Sequence, residues 1–228
     1  MLRTALVALA ATAAVPAAAM PSYYPFGPQA NVSLATVTGG GWSLCYQALY
    51  GTPLGNDASA ALSGCGTGDL LMLAARETGS STLLVLAAAP RTDTLTNTGA
   101  ANNGVTHVAN GTGWYYAPFW SWGFANAGDP VNKNECDMDN TGATLKLCWH
   151  TYDWVGGWRA GVFTYLNGSA DFEKLIFVAS RGDDPAPTPA PATLALLGIG
   201  LAGLAAARRR CNRAHRPEGG GVRHPSQP

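Results

Sequence analysis

Charge is scarce in this 228-residue chain: Asp, Glu, Lys and Arg together make up 12% of it. Chemistry-bearing patterns are scarce too. Between Met20 and Asp184 there is no Cys-x-x-Cys pair, no Gly-x-Ser-x-Gly turn and no histidine besides His107 and His150. The first absence argues against a structural zinc site, whose ligands come in such close pairs. The second leaves either histidine, as a candidate base, without the strained turn that presents a serine nucleophile. Without a repeat of fixed period, solenoids and propellers drop out. Basic clusters are missing from this stretch, which carries thirteen acidic and seven basic side chains. A body this acidic disfavours nucleic acid, because affinity for phosphate backbones comes mainly from Lys and Arg.

What is present is concentrated at the two ends. Arg3 precedes an uncharged, mostly apolar run over residues 4–15, and Pro16 and the small residues Ala17-Ala18-Ala19 follow. This is the order of a secretory signal peptide, with cleavage expected after Ala19. A spanning helix needs about 18 apolar residues, more than Pro16 allows. Residues 183–191 form a Pro-rich linker that is extended rather than helical. Residues 192–207 are sixteen positions without a charge, and Arg208-Arg209-Arg210 come next. At 1.5 Å per residue such a helix is about 24 Å long, enough to span a bilayer with snorkelling arginines. The arginines orient it: residues 208–228 are a cytoplasmic tail and the body lies outside. Cys211, inside that tail, is expected as a reduced or lipid-modified thiol.

The run from Pro189-Ala190-Pro191 through Ala192-Thr193-Leu194-Ala195-Leu196-Leu197-Gly198 to Arg208-Arg209-Arg210 resembles the PEP-CTERM sorting domain of Gram-negative exported proteins. The resemblance covers about 22 residues, and the central Glu of the family's motif is Ala190 in this chain. It implies that an exosortase, a membrane-embedded cysteine transpeptidase, recognises the segment. The helix and tail would then be removed, and the body would pass from the inner membrane to the cell surface or the extracellular matrix.

Residues 20–182 are predicted as one exported β-rich domain, an all-β antiparallel sandwich or barrel. Short apolar runs alternate with Gly, Asn and Thr there, the pattern of strands and turns. Strands are predicted over 31–38, 42–46, 70–75, 82–88, 105–109, 114–119, 144–152, 158–165 and 174–179, with helix only near 58–62. Four of the five cysteines fall in the body, and export permits disulfides. Cys45 with Cys65 and Cys136 with Cys148 are favoured because each closes a short loop, worth about 3 kcal/mol.

Candidate sites are weaker. Residues 114–124 hold Trp114, Trp120 and Trp122 among other aromatics, and such rings stack on sugars, although core packing is the commoner use of aromatics in a small β-domain. Trp42, Trp149, Trp154 and Trp158 are read as core residues. Asp137, Asp139, Thr141 and Gly142 resemble the opening of a calcium loop, but Cys148 stands where its bidentate Glu belongs. Asp137, Asp139, Asp153, Asp171 and Glu173 could supply the two carboxylates of a glycosidase, and no spacing selects a pair. The preferred reading is a non-enzymatic surface or matrix module, structural or binding extracellular polysaccharide, with no cofactor and no metal. The alternative is a small secreted hydrolase of matrix polysaccharide.

Overall fold

A computed structural model of the chain describes residues 20–100, 104–133, 136 and 143–181. The signal peptide, the linker with the sorting motif, the helix over 192–207, the tail and the calcium-like loop fall outside these residues.

The described body is mostly β, arranged as two five-stranded antiparallel sheets. The first contains β1 (Gln29–Ser33), β2 (Ser43–Leu49), β3 (Leu70–Glu77), β4 (Thr82–Pro90) and β10 (Phe172–Ala179) in the order β1-β4-β3-β10-β2. The second is a meander of β5 (His107–Ala109), β6 (Thr112–Ala117), β7 (Ser121–Asn126), β8 (Leu147–His150) and β9 (Gly157–Ala160). The chain therefore leaves the first sheet after β4, completes the whole second sheet, and returns as β10 to fill the gap between β3 and β2. The first sheet cannot close until its last strand arrives.

One core lies between the sheets. Leu71, Leu73 and Ala75 of β3, Val85, Ala87 and Ala89 of β4, and Ile176 of β10 meet Trp114, Trp122, Phe124, Leu147, Trp149 and Ala160 of the second sheet. A second cluster covers the opposite face of the first sheet, where Val37 and Trp42 pack on Leu70, Met72, Ala74, Leu175 and Phe177. Burial on both faces explains why β3 and β4 read as nearly unbroken apolar runs instead of alternating ones.

Both expected disulfides are present, Cys45–Cys65 and Cys136–Cys148. Several strand boundaries differ from expectation, each for a local reason. The strand predicted over 31–38 stops at Ser33, whose Oγ accepts the Thr36 amide at 3.0 Å and caps the short helix α1 (Leu34–Gly39). The predicted helix near 58–62 is α2 (Ser59–Leu62), and the unpredicted α3 (Arg91–Thr94) follows β4. The aromatic stretch, expected as one strand over 114–119, is a hairpin: Ala117 pairs with Ser121, and Phe119 turns the chain at φ 62°. A bulky residue in the left-handed region gives no turn signal, so β7 is hidden from composition. The strand predicted over 158–165 ends at Ala160, where Gly161 takes φ 61°.

Tyr50, fully buried just past β2, ties the sheets together. Its hydroxyl donates to the Arg159 carbonyl at 2.8 Å and accepts from Trp149 Nε1 at 3.1 Å. Its carbonyl accepts the Gly157 amide at 2.7 Å and Lys174 Nζ at 3.3 Å. Lys174 also donates to the Thr52 carbonyl, and burial lowers its pKa to about 8. Tyr50→Phe keeps the ring and removes the hydroxyl, so Trp149 Nε1 loses its acceptor inside the core. The expected loss is about 1–3 kcal/mol, read as a lower urea midpoint at unchanged slope. A midpoint within error of wild type would refute the structural role of that hydroxyl.

Candidate functional site

Aromatic rings collect on the outer side of the second sheet, at the end where the β6–β7 turn meets the β8–β9 loop. Strand alternation begins the site: Leu147 and Trp149 face the core, so Cys148 and His150 face the other way. A bulge adds to it. Cys148 pairs with Arg159 and Trp149 with Gly157, which leaves Trp158 as the extra residue on β9. Bulges re-aim side chains, and Trp158 packs on the outer cluster of Tyr115, Ala125, Val131, Cys136 and Cys148.

The loops supply the rest. Trp154 lies 5.4 Å from Tyr152, Tyr152 5.8 Å from His150, His150 6.3 Å from Trp158 and Trp158 4.5 Å from Tyr165, measured between ring centroids. The ends of this row are open, with Trp154 74% and Tyr165 71% exposed, whereas His150 at its centre is only 9% exposed. Tyr165 holds φ 62°, a conformation that costs a large non-glycine residue energy and clusters at functional sites. The Leu166 amide donates to the Trp158 carbonyl at 3.2 Å, tying the Tyr165 turn to the bulge.

Three further contacts fix the loops. Thr151 Oγ1 donates to the Ala117 carbonyl at 2.7 Å and accepts the Trp120 amide at 2.9 Å. The Asn56 carbonyl accepts the Phe119 amide at 2.8 Å, and its Oδ1 accepts the Asp153 amide at 3.2 Å. Gly156 and Gly157 let the β8–β9 loop approach Tyr50. A Cβ on Gly156 would stand 1.9 Å from the Tyr50 carbonyl oxygen, and one on Gly157 would stand 2.6 Å from the Tyr50 ring.

Among the described residues, two polar atoms in the row are buried without a partner, His150 Nδ1 and Trp158 Nε1. Buried polar groups are nearly always satisfied, so such orphans call for an explanation. Burial holds the His150 pKa below the ordinary value, against a hydrogen bond with the Trp120 backbone that raises it. Between His150 and Leu166 the exposed charged side chains reduce to Asp153.

The residues singled out from sequence scatter by comparison. Trp114 (1% exposed) and Trp122 (0%) are core residues, not a sugar platform, because β6 and β7 point them at the first sheet. Trp122 Nε1 donates to the Thr94 carbonyl at 2.8 Å. Trp120, in the turn, is half-buried. Trp154 and Trp158, expected in the core, are respectively exposed and half-buried, and both join the aromatic row. The available sequence signal is the set of aromatics around Gly156 and Gly157, between the end of β8 and the start of β9. His107 Nε2 lies 2.8 Å from Asp93 Oδ1, bridging β5 to α3, away from His150 in the strand order. Of the candidate carboxylates, Asp153 and Asp171 are exposed, and Asp137 and Asp139 lie outside the described residues. Glu173 is buried, which raises its pKa. Bonds from Arg76 at 2.6 Å, Gln47 at 2.7 Å and the Gly79 amide, with the Arg76 charge, outweigh that and hold it below the usual carboxylate range.

Because its folded pKa is depressed, His150 is neutral in the folded state where the unfolded chain begins to protonate. Stability from this group is complete above about pH 6.5 and is lost as pH falls from there through the folded pKa. Wild type is expected to lose thermal stability as pH falls below about 6.5, and His150→Gln is expected to flatten that limb. Equal slopes for the two proteins would remove His150 as the cause.

In comparison with known proteins, no curated protein and no solved structure matches the chain. At the C-terminal end, the model of the PEP-CTERM protein-sorting motif aligns with residues 187–210. The stretch contains Pro189, Ala190, Pro191 and Arg208 to Arg210, so the chain carries a PEP-CTERM sorting motif and is an exported protein sorted by an exosortase.

Proposed function

We propose that the body, once the helix and tail are removed, works outside the cell as a non-enzymatic module of the surface or matrix. The observation that carries this reading is the sorting motif attached to a small sandwich closed by two disulfides. A body of this size gains stability from cross-links in an oxidising compartment and would lose them in a reducing one. Its burial pattern favours a scaffold. Lys174 and Lys133 are buried and donate to backbone carbonyls of Thr52 and Thr98, and Arg76 pairs with Glu173 at 2.6 Å; these are interactions that hold loops. Glu173, held ionised by Arg76, is poorly suited to donate a proton as a glycosidase acid must. Extracellular polysaccharide is the ligand class that a delivered, acidic, aromatic-bearing module is suited to meet.

Delivery is tested by intact mass and fractionation in an exosortase-containing host, beside a variant lacking residues 192–228. The expected product begins near Met20, ends near Pro191 and leaves the membrane. Ala190→Glu, which restores the motif's central acid, is expected to raise the processed fraction. A product that keeps its helix and tail in both forms would make the chain a membrane-anchored protein and overturn release.

A further inference from the structure

We infer that the row Trp154–Tyr152–His150–Trp158–Tyr165 is a binding site for a neutral polysaccharide chain, an inference that rests on the extracellular reading above and names the ligand class of that module.

Three observations on the row point to this occupant. The two end rings, Trp154 and Tyr165, stand open to solvent at 74% and 71%, although large aromatics are normally buried for their area. Successive ring centroids are 4.5–6.3 Å apart, tilted by 33–37° from Trp154 to His150 and edge-on at 60–72° from His150 to Tyr165, so the two open rings belong to one packed cluster joined through half-buried and buried rings. An aromatic face carries partial negative charge and attracts the C–H-rich face of a sugar ring, while the sugar's hydroxyls still need partners. The row holds candidates for them. Trp158 Nε1 can only donate, and His150 Nδ1 accepts when the ring's other nitrogen carries the proton toward the Trp120 backbone. Both atoms lie buried under the row, and a sugar hydroxyl, which donates and accepts, matches the chemistry that each of them lacks.

The charge balance selects among polysaccharides. Over residues 150–166 the exposed formal charge is Asp153, and Arg159 is fully buried. An anionic polymer would meet a carboxylate and no exposed cation in this segment, which disfavours it. Exposed Trp and Tyr are also residues that protein interfaces favour, so a second copy of the chain is an outcome that the test below separates.

The site is also held in place before any ligand arrives. The bulge at Trp158, the Thr151 clasp on the β6–β7 turn and the Asn56 bridge to Phe119 and Asp153 set the loops. A preorganised site loses less entropy on binding.

The test is native affinity electrophoresis of the secreted protein through gels containing a mixed-linkage β-glucan, a galactomannan or, as anionic comparator, alginate. Retardation by at least one neutral polymer is expected. Trp154→Ala/Tyr165→Ala removes the two open rings and is expected to weaken that binding by about tenfold or more, the usual scale for truncating an aromatic anchor. Both positions are exposed, so the double variant should keep the wild-type melting temperature. Phe26→Ala, at a separate position 77% exposed, should bind as wild type. Migration unchanged by both neutral polymers, retardation by alginate alone, or retardation equal in the double variant would each overturn the site. A double variant that only turns a dimer into a monomer in sedimentation would assign the row to a second copy of the chain and overturn it too. Failure of delivery reads differently. A membrane-retained chain can be run in the same gels after solubilisation in detergent, and cleavage of the polymer, seen as new reducing ends, would overturn the non-enzymatic reading instead.

Discussion

The buried hydroxyl and carbonyl of Tyr50 are the constraint on which the rest of the body depends. Through them one residue after β2 bonds β8 by Trp149 Nε1, β9 by the Arg159 carbonyl and the Gly157 amide, and β10 by Lys174 Nζ. Its own amide donates to the Phe172 carbonyl at 2.8 Å, so the strand that closes the first sheet is fixed at the same point. Inside a core of low dielectric these bonds are strong when made and costly when missing. Two sheets held only by apolar contact could slide; two sheets held through Tyr50 have one register.

That register reaches the outer surface. For Tyr50 to meet β9, the backbone at Gly156 and Gly157 must pass closer than any Cβ would allow. The approach coincides with the shift in pairing between β8 and β9, and the shift leaves Trp158 as the bulged residue. The aromatic row is thus the outer consequence of an inner contact: the hydroxyl that joins the sheets and the ring presented outside are connected through two glycines and one bulge. The Cys136–Cys148 bond lies on the same outer face, two residues before His150.

A division of labour follows between the parts of the chain. The C-terminal motif marks the chain for sorting by an exosortase, through features carried in one linear segment: proline, an apolar run and arginine. The body contributes persistence. Two disulfides, two buried cores and cations bonded to carbonyls suit an exported protein, and the chemistry facing outward is aromatic and nearly uncharged between His150 and Leu166.

The sequence by itself determined whatever depends on local order: the sorting motif, the β-rich class, the strands β3, β4 and β10 and the short-loop pairing of Cys45 with Cys65 and Cys136 with Cys148. Apolar runs, turn residues and loop length carry that information without knowledge of neighbours. Only the tertiary structure decided which aromatics face water. Trp114 and Trp122 sit in the densest aromatic stretch of the chain and are buried, because β6 and β7 are middle strands whose inner side meets the first sheet. Trp154 and Tyr165 sit in plainer surroundings and are exposed, because their loops lie beyond the strands at the sheet's edge. Composition cannot separate these cases, since the two sides of a strand differ by one residue in sequence and by the whole width of the core in space.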